Sequence, residues 1–205
     1  MTADHYFTAE PDTPFRRGEI EFSVAGRDYR LAVASGVFSA GRLDPGTAVL
    51  LRKGGLPGAD AEGTLLDLGC GYGPIACVLA SEAPKTTVYA VDVNSRAREL
   101  TAENAATLGL SDRIRVAAPD EVPDHVTFTE IWSNPPTHVG KTELRALMER
   151  WLPRLAPGGT AWLVINRNLG GDSLHTWLEG LGWTVTRTAS QKGFRVLRVT
   201  RKSAD

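Results

Sequence analysis

Residues 65–74 read LLDLGCGYGP. Leu65, Leu66 and Leu68 form the end of a short apolar strand, which runs into a cluster of glycines. Gly69, Gly71 and Gly73 let the backbone turn sharply and approach a ligand with no Cβ in the way. Pro74 suits the first turn of a helix, where its missing N–H costs nothing. Strand, glycine turn and helix in ten residues predict the opening unit of an open α/β sheet.

The chain reads outward from that unit as alternating strands and helices. The spacing predicts helix over 74–83, strand over 87–93 (TVYAVDV) and an amphipathic helix over 95–110. The apolar side of that helix carries Ala97, Leu100, Ala105 and Leu108, with Gly109 at the stop. Strands are expected at 113–118 and 128–133, a helix over 142–159 ending in Pro-Gly-Gly, and a strand at 160–166. A helix over 173–182 then precedes two strands, 183–189 and 195–201, that pair antiparallel. The expected fold class is α/β: a Rossmann-like, doubly wound sheet, mostly parallel with a C-terminal antiparallel hairpin, with helices on both faces. Residues 61–205 form this main domain. Residues 1–60 read as a flap packed on it within one structural unit, since they are too few for a core of their own. Within the flap, 18–35 is a hairpin turning near Ala25-Gly26, and 36–56 is a loop and a short helix starting near Asp44-Pro45.

Composition narrows the function classes. The 205 residues are 42% hydrophobic and 23% charged, with a formal net charge of −1. That is an ordinary globular balance, and it does not announce a nucleic-acid binder in bulk. Charge is uneven, however. After Asp172 come Arg187, Lys192, Arg195, Arg198, Arg201 and Lys202 against only Glu179 and Asp205, and Arg16, Arg17, Arg27 and Arg30 cluster near the start. Either these form a basic rim around a site or they are solvated faces. The two cysteines, Cys70 and Cys77, lie seven residues apart on one strand–helix unit, which fits neither a disulfide framework nor a metal site. No apolar run is long enough to span a membrane, and the N-terminus lacks the pattern of a secretory leader. A cytoplasmic, monomeric protein is expected.

Ligands on such sheets sit at the carboxyl ends of the strands. Three features fall there: the glycine turn, Asp92, and Asn134-Pro135-Pro136 within IWSNPPTHVGK (131–141). Asp92 lies nineteen residues beyond Gly73, placed to accept hydrogen bonds from two ribose hydroxyls. The glycine spacing is G-x-G-x-G rather than the dinucleotide G-x-G-x-x-G. Asp67 just upstream would repel a pyrophosphate and suit a ligand carrying an ammonium group. At the Asn-Pro-Pro corner, Asn134 offers a side-chain carbonyl and Pro135 a backbone carbonyl with a ring-locked φ. Two such acceptors favour a tetrahedral geometry at a delocalised amine and stabilise the positive charge that develops there.

The glycine segment resembles the motif of class I S-adenosylmethionine-dependent methyltransferases. By that resemblance Gly69, Cys70, Gly71 and Gly73 pack against the cofactor, and Asp92 binds its ribose. Val93 and Asn94 flank the adenosine, Asp67 lies near the amino-acid portion, and Asp120 meets the adenine amino group. Asn-Pro-Pro resembles the corner of amino-group methyltransferases, where Asn134, Pro135 and Pro136 would be catalytic. Those enzymes usually place an aromatic residue next; here it is Thr137, so Phe38 or His138 would supply the ring. GVFSAGRLDPGTAVLL (36–51), DLGCGYGP, NPPTHVGK and QKGFRVLRV (191–199) occur in this order. Together they are similar to the small-domain methyltransferase family that includes rRNA guanine-N2 enzymes, over residues 15–200. The resemblance implies a seven-stranded fold, S-adenosylmethionine as cofactor and an RNA partner, with Arg195 near a phosphate and Phe38, Thr137 and His138 near the base. Gly36–Ser39 and Thr47 would close over the methionine end of the cofactor. Members that methylate guanine N2 generally carry a further N-terminal domain without a counterpart in this sequence. A protein glutamine or small-molecule N-methyltransferase, and a cofactor-binding module that has lost catalysis, remain the competing expectations.

Overall fold

The computed structural model describes residues 16–39, 41–136, 140–169 and 171–202. Strands β1 (Arg17–Val24) and β2 (Arg27–Ala34) form a separate antiparallel hairpin. Ala25 and Gly26 turn it with φ of 51° and 76°, the left-handed pair that matches the twist of a hairpin. Helix α1 (Pro45–Lys53) follows, capped by Asp44, whose Oδ1 accepts the Thr47 N–H at 2.9 Å. The main unit then runs β3 (Gly63–Leu68), α2 (Pro74–Glu82), β4 (Thr86–Val91), α3 (Ser95–Thr107), β5 (Ile114–Ala117) and β6 (Phe128–Ser133). It continues through α4 (Lys141–Trp151), β7 (Leu155–Asn166), α5 (Gly171–Gly180), β8 (Trp183–Gln191) and β9 (Phe194–Arg201).

The seven strands of the main sheet lie in the order β5-β4-β3-β6-β7-β9-β8. The first five are parallel, and β9 runs antiparallel between β7 and β8. This is the expected fold. The largest boundary difference is at α4, which ends at Trp151, well short of 159, and after a single 3-10 turn over Leu152–Arg154 the chain is already in β7. Pro153 cannot continue the helix. The Pro-Gly-Gly that reads as a stop is instead a bulge inside the strand, where register shifts between Phe128 and Glu130 of β6. Gly159 is required there, because a Cβ would stand within 2.9–3.1 Å of the Ala156, Thr129 and Phe128 carbonyl oxygens.

Alternation along the strands divides the core between two faces. Leu65, Val88, Ala90, Ile114, Trp132, Val164 and Val196 point toward α1, α2, α3 and the hairpin. Leu66, Leu68, Tyr89, Val91, Ile131, Leu163, Ile165 and Leu197 point toward α4 and α5. The hairpin shares the first core through Ile20, Tyr29, Leu31 and Val33. Among the described residues no helix is long and apolar enough to cross a membrane.

One buried side chain ties three segments together. Asn104 of α3 donates to the Ala32 carbonyl at 2.9 Å and the Tyr72 carbonyl at 2.8 Å, and accepts the Ala32 N–H at 2.7 Å. It is 2% exposed, so its removal orphans three backbone groups that water cannot reach. Asn104→Ala should lower unfolding stability by about 2–4 kcal/mol, read as a shifted urea midpoint at unchanged slope. A loss below about 0.5 kcal/mol would show the contacts to be dispensable.

Candidate active site

A cavity of about 460 Å³ opens at the carboxyl ends of β3, β4, β6 and β7. The strand order reverses beside β3, which is where open α/β sheets bind ligands. Two walls face each other across it: the glycine loop with Asp92, and the Asn-Pro-Pro corner with α1.

The glycine wall is fixed by Asp92. Its Oδ2 accepts the Gly71 N–H at 2.9 Å and its Oδ1 the Asn94 N–H at 2.9 Å. Burial pushes the carboxyl up, and these N–H groups with the nearby Arg98 guanidinium pull against that rise. Gly69 and Gly71 line the cavity with φ of 77° and 58°, and nothing lies within 4 Å of where a Cβ would stand. Gly73 serves a different purpose: a Cβ there would meet the Thr101 side chain at 2.9 Å, so it permits packing on α3. Cys70 is likewise buried against Thr101, 3.6 Å from its hydroxyl, and does not line the cavity. Asn94 does line it, but its side chain caps α3 by accepting the Ala97 N–H at 3.1 Å and donates to the Gly36 carbonyl at 3.0 Å.

Asp67 and Asp120 stand away from the positions the sequence gives them. Asp67 is fully buried beneath the loop, outside the cavity lining, with Oδ2 on the Ala76 N–H at 2.9 Å. Its other oxygen has no partner among the described residues, and burial pushes the carboxyl up to about 8. Burial thus favours the neutral acid, and with Asp67 outside the cavity lining the charge argument for an ammonium does not run through a direct contact. Asp120 turns outward to pair with Arg150 at 2.7 Å. Its neighbour Pro119 lines the cavity instead, and Val91, Val93 and Ala97 add apolar lining near Asp92.

The opposite wall centres on Asn134. Its Nδ2 donates to Asp44 Oδ1 at 2.7 Å and to Thr47 Oγ1 at 3.0 Å. A carboxylate only accepts, so the atom facing Asp44 is the amide nitrogen and Oδ1 points the other way. Among the described residues nothing donates to that oxygen. Pro135 and Pro136 line the cavity beside it, with Phe38, Phe194, Glu143, Leu147 and Asn166. Arg195 is not part of this lining; its side chain packs near Gly171. Thr137 and His138 lie outside the described residues. Sequence reading missed Asp44 as a partner of Asn134, as well as Phe194, Glu143 and Asn166. The one signal was the helix start at Asp44-Pro45, which says nothing of a contact ninety residues away.

A family model described as methyltransferase small domain matches residues 28–198. The chain belongs to that family. Small-domain membership makes it an S-adenosylmethionine-dependent methyltransferase. The Bacillus subtilis protein YbxB, itself uncharacterised, is 33% identical over 199 residues, 96% of this chain and 98% of its own. Ribosomal RNA small subunit methyltransferase C of Pseudomonas aeruginosa is 37% identical over 168 residues, 77% of this chain and 48% of that protein. This chain thus spans about half the length of that relative. Among solved structures, the T. thermophilus 16S rRNA N2 G1207 methyltransferase RsmC, in complex with AdoMet and guanosine, superposes with a TM-score of 0.74 at 25% identity. It covers 94% of this chain and 52% of that one. The residues of this small-domain site fit the cofactor: an open glycine cradle, a carboxylate at the end of β4, and the apolar lining near it.

The buried Asp67 yields a pH test. An ordinary aspartate titrates near 3.8 and the folded one near 8. Between those values only the folded state keeps the proton, so unfolding releases it and stability falls as pH rises, levelling off above about 8. Asp67→Asn, which mimics the protonated form, should flatten the dependence between pH 5 and pH 8, read by urea titration at several pH values. Identical slopes in the two proteins would place that buried proton elsewhere.

Proposed function

We propose that the chain transfers a methyl group to an exocyclic nucleobase amine, guanine N2 of ribosomal RNA. The observation that carries this is the orientation of Asn134. Its NH₂ is spent on Asp44 and Thr47, which leaves Oδ1 as the available acceptor of a side chain that lines the cavity beside Pro135. An amine held between two acceptors presents its lone pair away from them and becomes tetrahedral at low cost.

The cofactor, when bound, supplies a methyl group already activated on a sulfonium, so the protein needs to position rather than activate. Asp92 holds the ribose hydroxyls, and Val93 and Pro119 sandwich the adenine. Glu143 at the mouth of the cavity favours guanine over adenine, because guanine offers a second N–H donor beside its amine where adenine offers an acceptor. Phe194 and Phe38 line the same end, and their rings take the stacking role that the family gives to the residue after Asn-Pro-Pro. Arg42, Arg167 and Lys192 are exposed within two residues of the lining residues Asp44, Asn166 and Phe194, which suits a substrate with a phosphate backbone. The rRNA guanine target of the solved neighbour supports the same reading.

Tritiated methyl transfer to naked rRNA, 30S and 50S particles and tRNA tests the proposal. Incorporation should appear in rRNA or one ribosomal particle and map to N2-methylguanine by nucleoside mass spectrometry. Incorporation only into protein or a small molecule would overturn it. Asp92→Ala should weaken cofactor binding by at least about 100-fold in calorimetry, through loss of charge-assisted hydrogen bonds. Asn134→Ala should bind the cofactor normally and lose about 100-fold or more in turnover. Normal cofactor affinity in Asp92→Ala would sink the ribose assignment.

A further inference from the structure

We infer that Asp44 is the positioning residue of this site: its carboxylate locks the Asn134 carboxamide so that Oδ1, not the NH₂, meets the target amine. The inference rests on the proposed N-methylation and adds a residue to it. A free carboxamide rotates by half a turn at little cost, and the flipped Asn134 would present two N–H donors to an amine that is itself a donor. The site would then repel its substrate. Asp44 Oδ1, 2.7 Å from Nδ2, makes the flipped state set two oxygens against each other. Thr47 Oγ1, at 3.0 Å, can donate as readily as accept, so it cannot enforce the choice alone.

Several features of the fold hold Asp44 in place. It is the N-cap of α1, with the same Oδ1 accepting the Thr47 N–H at 2.9 Å. Gly46 leaves the necessary space: a Cβ there would stand 2.9 Å from Asp44 Oδ1 and 2.9 Å from the Phe194 ring. The unpartnered phenol of Tyr72 is buried in the glycine loop, and the charge of Asp44 adds to burial in raising it. The carboxylate thus sits between α1, the Asn-Pro-Pro corner and the cofactor loop. A carboxylate bound to the NH₂ side also polarises the amide and makes Oδ1 a stronger acceptor. Asp44 acts through Asn134 on both counts.

Two substitutions separate this role from helix capping. Ser caps helices as well as Asp but is too short to reach Asn134. Asp44→Ser should therefore keep its melting temperature within about 3 °C and its cofactor affinity, while kcat on rRNA falls about 100-fold. Asp44→Asn retains a carbonyl for both bonds without the charge and should lose about ten-fold. A second readout needs no substrate. The Asn134 side-chain NH₂ signals, assigned by their loss in Asn134→Ala, should exchange slowly with deuterium in the wild type and fast in Asp44→Ser. Unchanged kcat in Asp44→Ser, or unchanged exchange at Asn134, overturns the role. Should the wild type methylate no RNA, the proposed function falls and the exchange comparison alone decides whether Asp44 fixes the amide.

Discussion

Everything in this molecule is arranged around the reversal of strand order at β3. The chain leaves β3 through α2 to β4 and through α3 to β5, moving outward on one side. It then returns to lay β6 against the other side of β3, and continues through α4 to β7. Parallel strands joined by right-handed crossovers must place the helices of the two halves on opposite faces, and the two cores divide accordingly. The loops after β3 and β6 consequently diverge, and the space between them is the cavity. No side chain creates that crevice; the side chains only furnish it. Ser133 Oγ, which donates to the Leu68 carbonyl at 2.7 Å, joins the two strand ends at the point of divergence.

The N-terminal segment is hydrogen-bonded to α3 of the main unit at several points. Asn94 donates to the Gly36 carbonyl at 3.0 Å, Arg96 to the Ser35 carbonyl at 2.8 Å, and Asn104 grips Ala32 from both sides. Each donor comes from α3 or its cap, so the helix that begins just after Asp92 also anchors the turn bearing Phe38. At the far end, α1 exits through Gly54 and Gly55 onto the indoles of Trp132 and Trp162, where a Cβ would stand 2.8 Å away at either position. The segment that carries Asp44 is thereby fixed at both ends against elements that carry the site.

Local motifs were legible in the sequence, and contacts at a distance were not. Strand, glycine turn and helix follow one another within LLDLGCGYGP, so β3, α2 and the cradle could be read directly. Asp92 and Asn134 could be placed because both end strands, whose position at the sheet edge follows from topology alone. The fates of Asp67 and Asp120 could not. Which way a carboxyl turns depends on whether an N–H such as that of Ala76, or a guanidinium such as that of Arg150, arrives from another element. Gly73 shows the same limit, since its lack of a Cβ is explained by Thr101, a residue 28 positions away. The α4 boundary failed for a related reason. Pro-Gly-Gly is a stop signal in isolation, and only the neighbouring carbonyls of β6 make it a bulge within a strand.

Electrostatics set a final constraint on what can enter. Asp44, Asp92 and Glu143 all line the cavity, and among the described residues no basic side chain joins them there. A phosphate brought inside would be repelled by three carboxyls in a region of reduced dielectric. A cationic sulfonium is attracted, and a neutral base rich in N–H donors finds acceptors. The exposed Arg42, Arg167 and Lys192 fall within two residues in sequence of the lining residues Asp44, Asn166 and Phe194, and the Arg167 N–H donates to the Gly193 carbonyl at 2.8 Å, tying two of these basic loops together. For the proposed RNA substrate this charge pattern suits a division in two, with the backbone at the basic loops and a single base in the cavity. On that proposal a base in a duplex would have to leave its stack, so the target would be unpaired or turned out when its amine meets Asn134. The near-neutral net charge of the chain conceals this local pattern, because three carboxyls line the cavity while most acids and bases lie elsewhere.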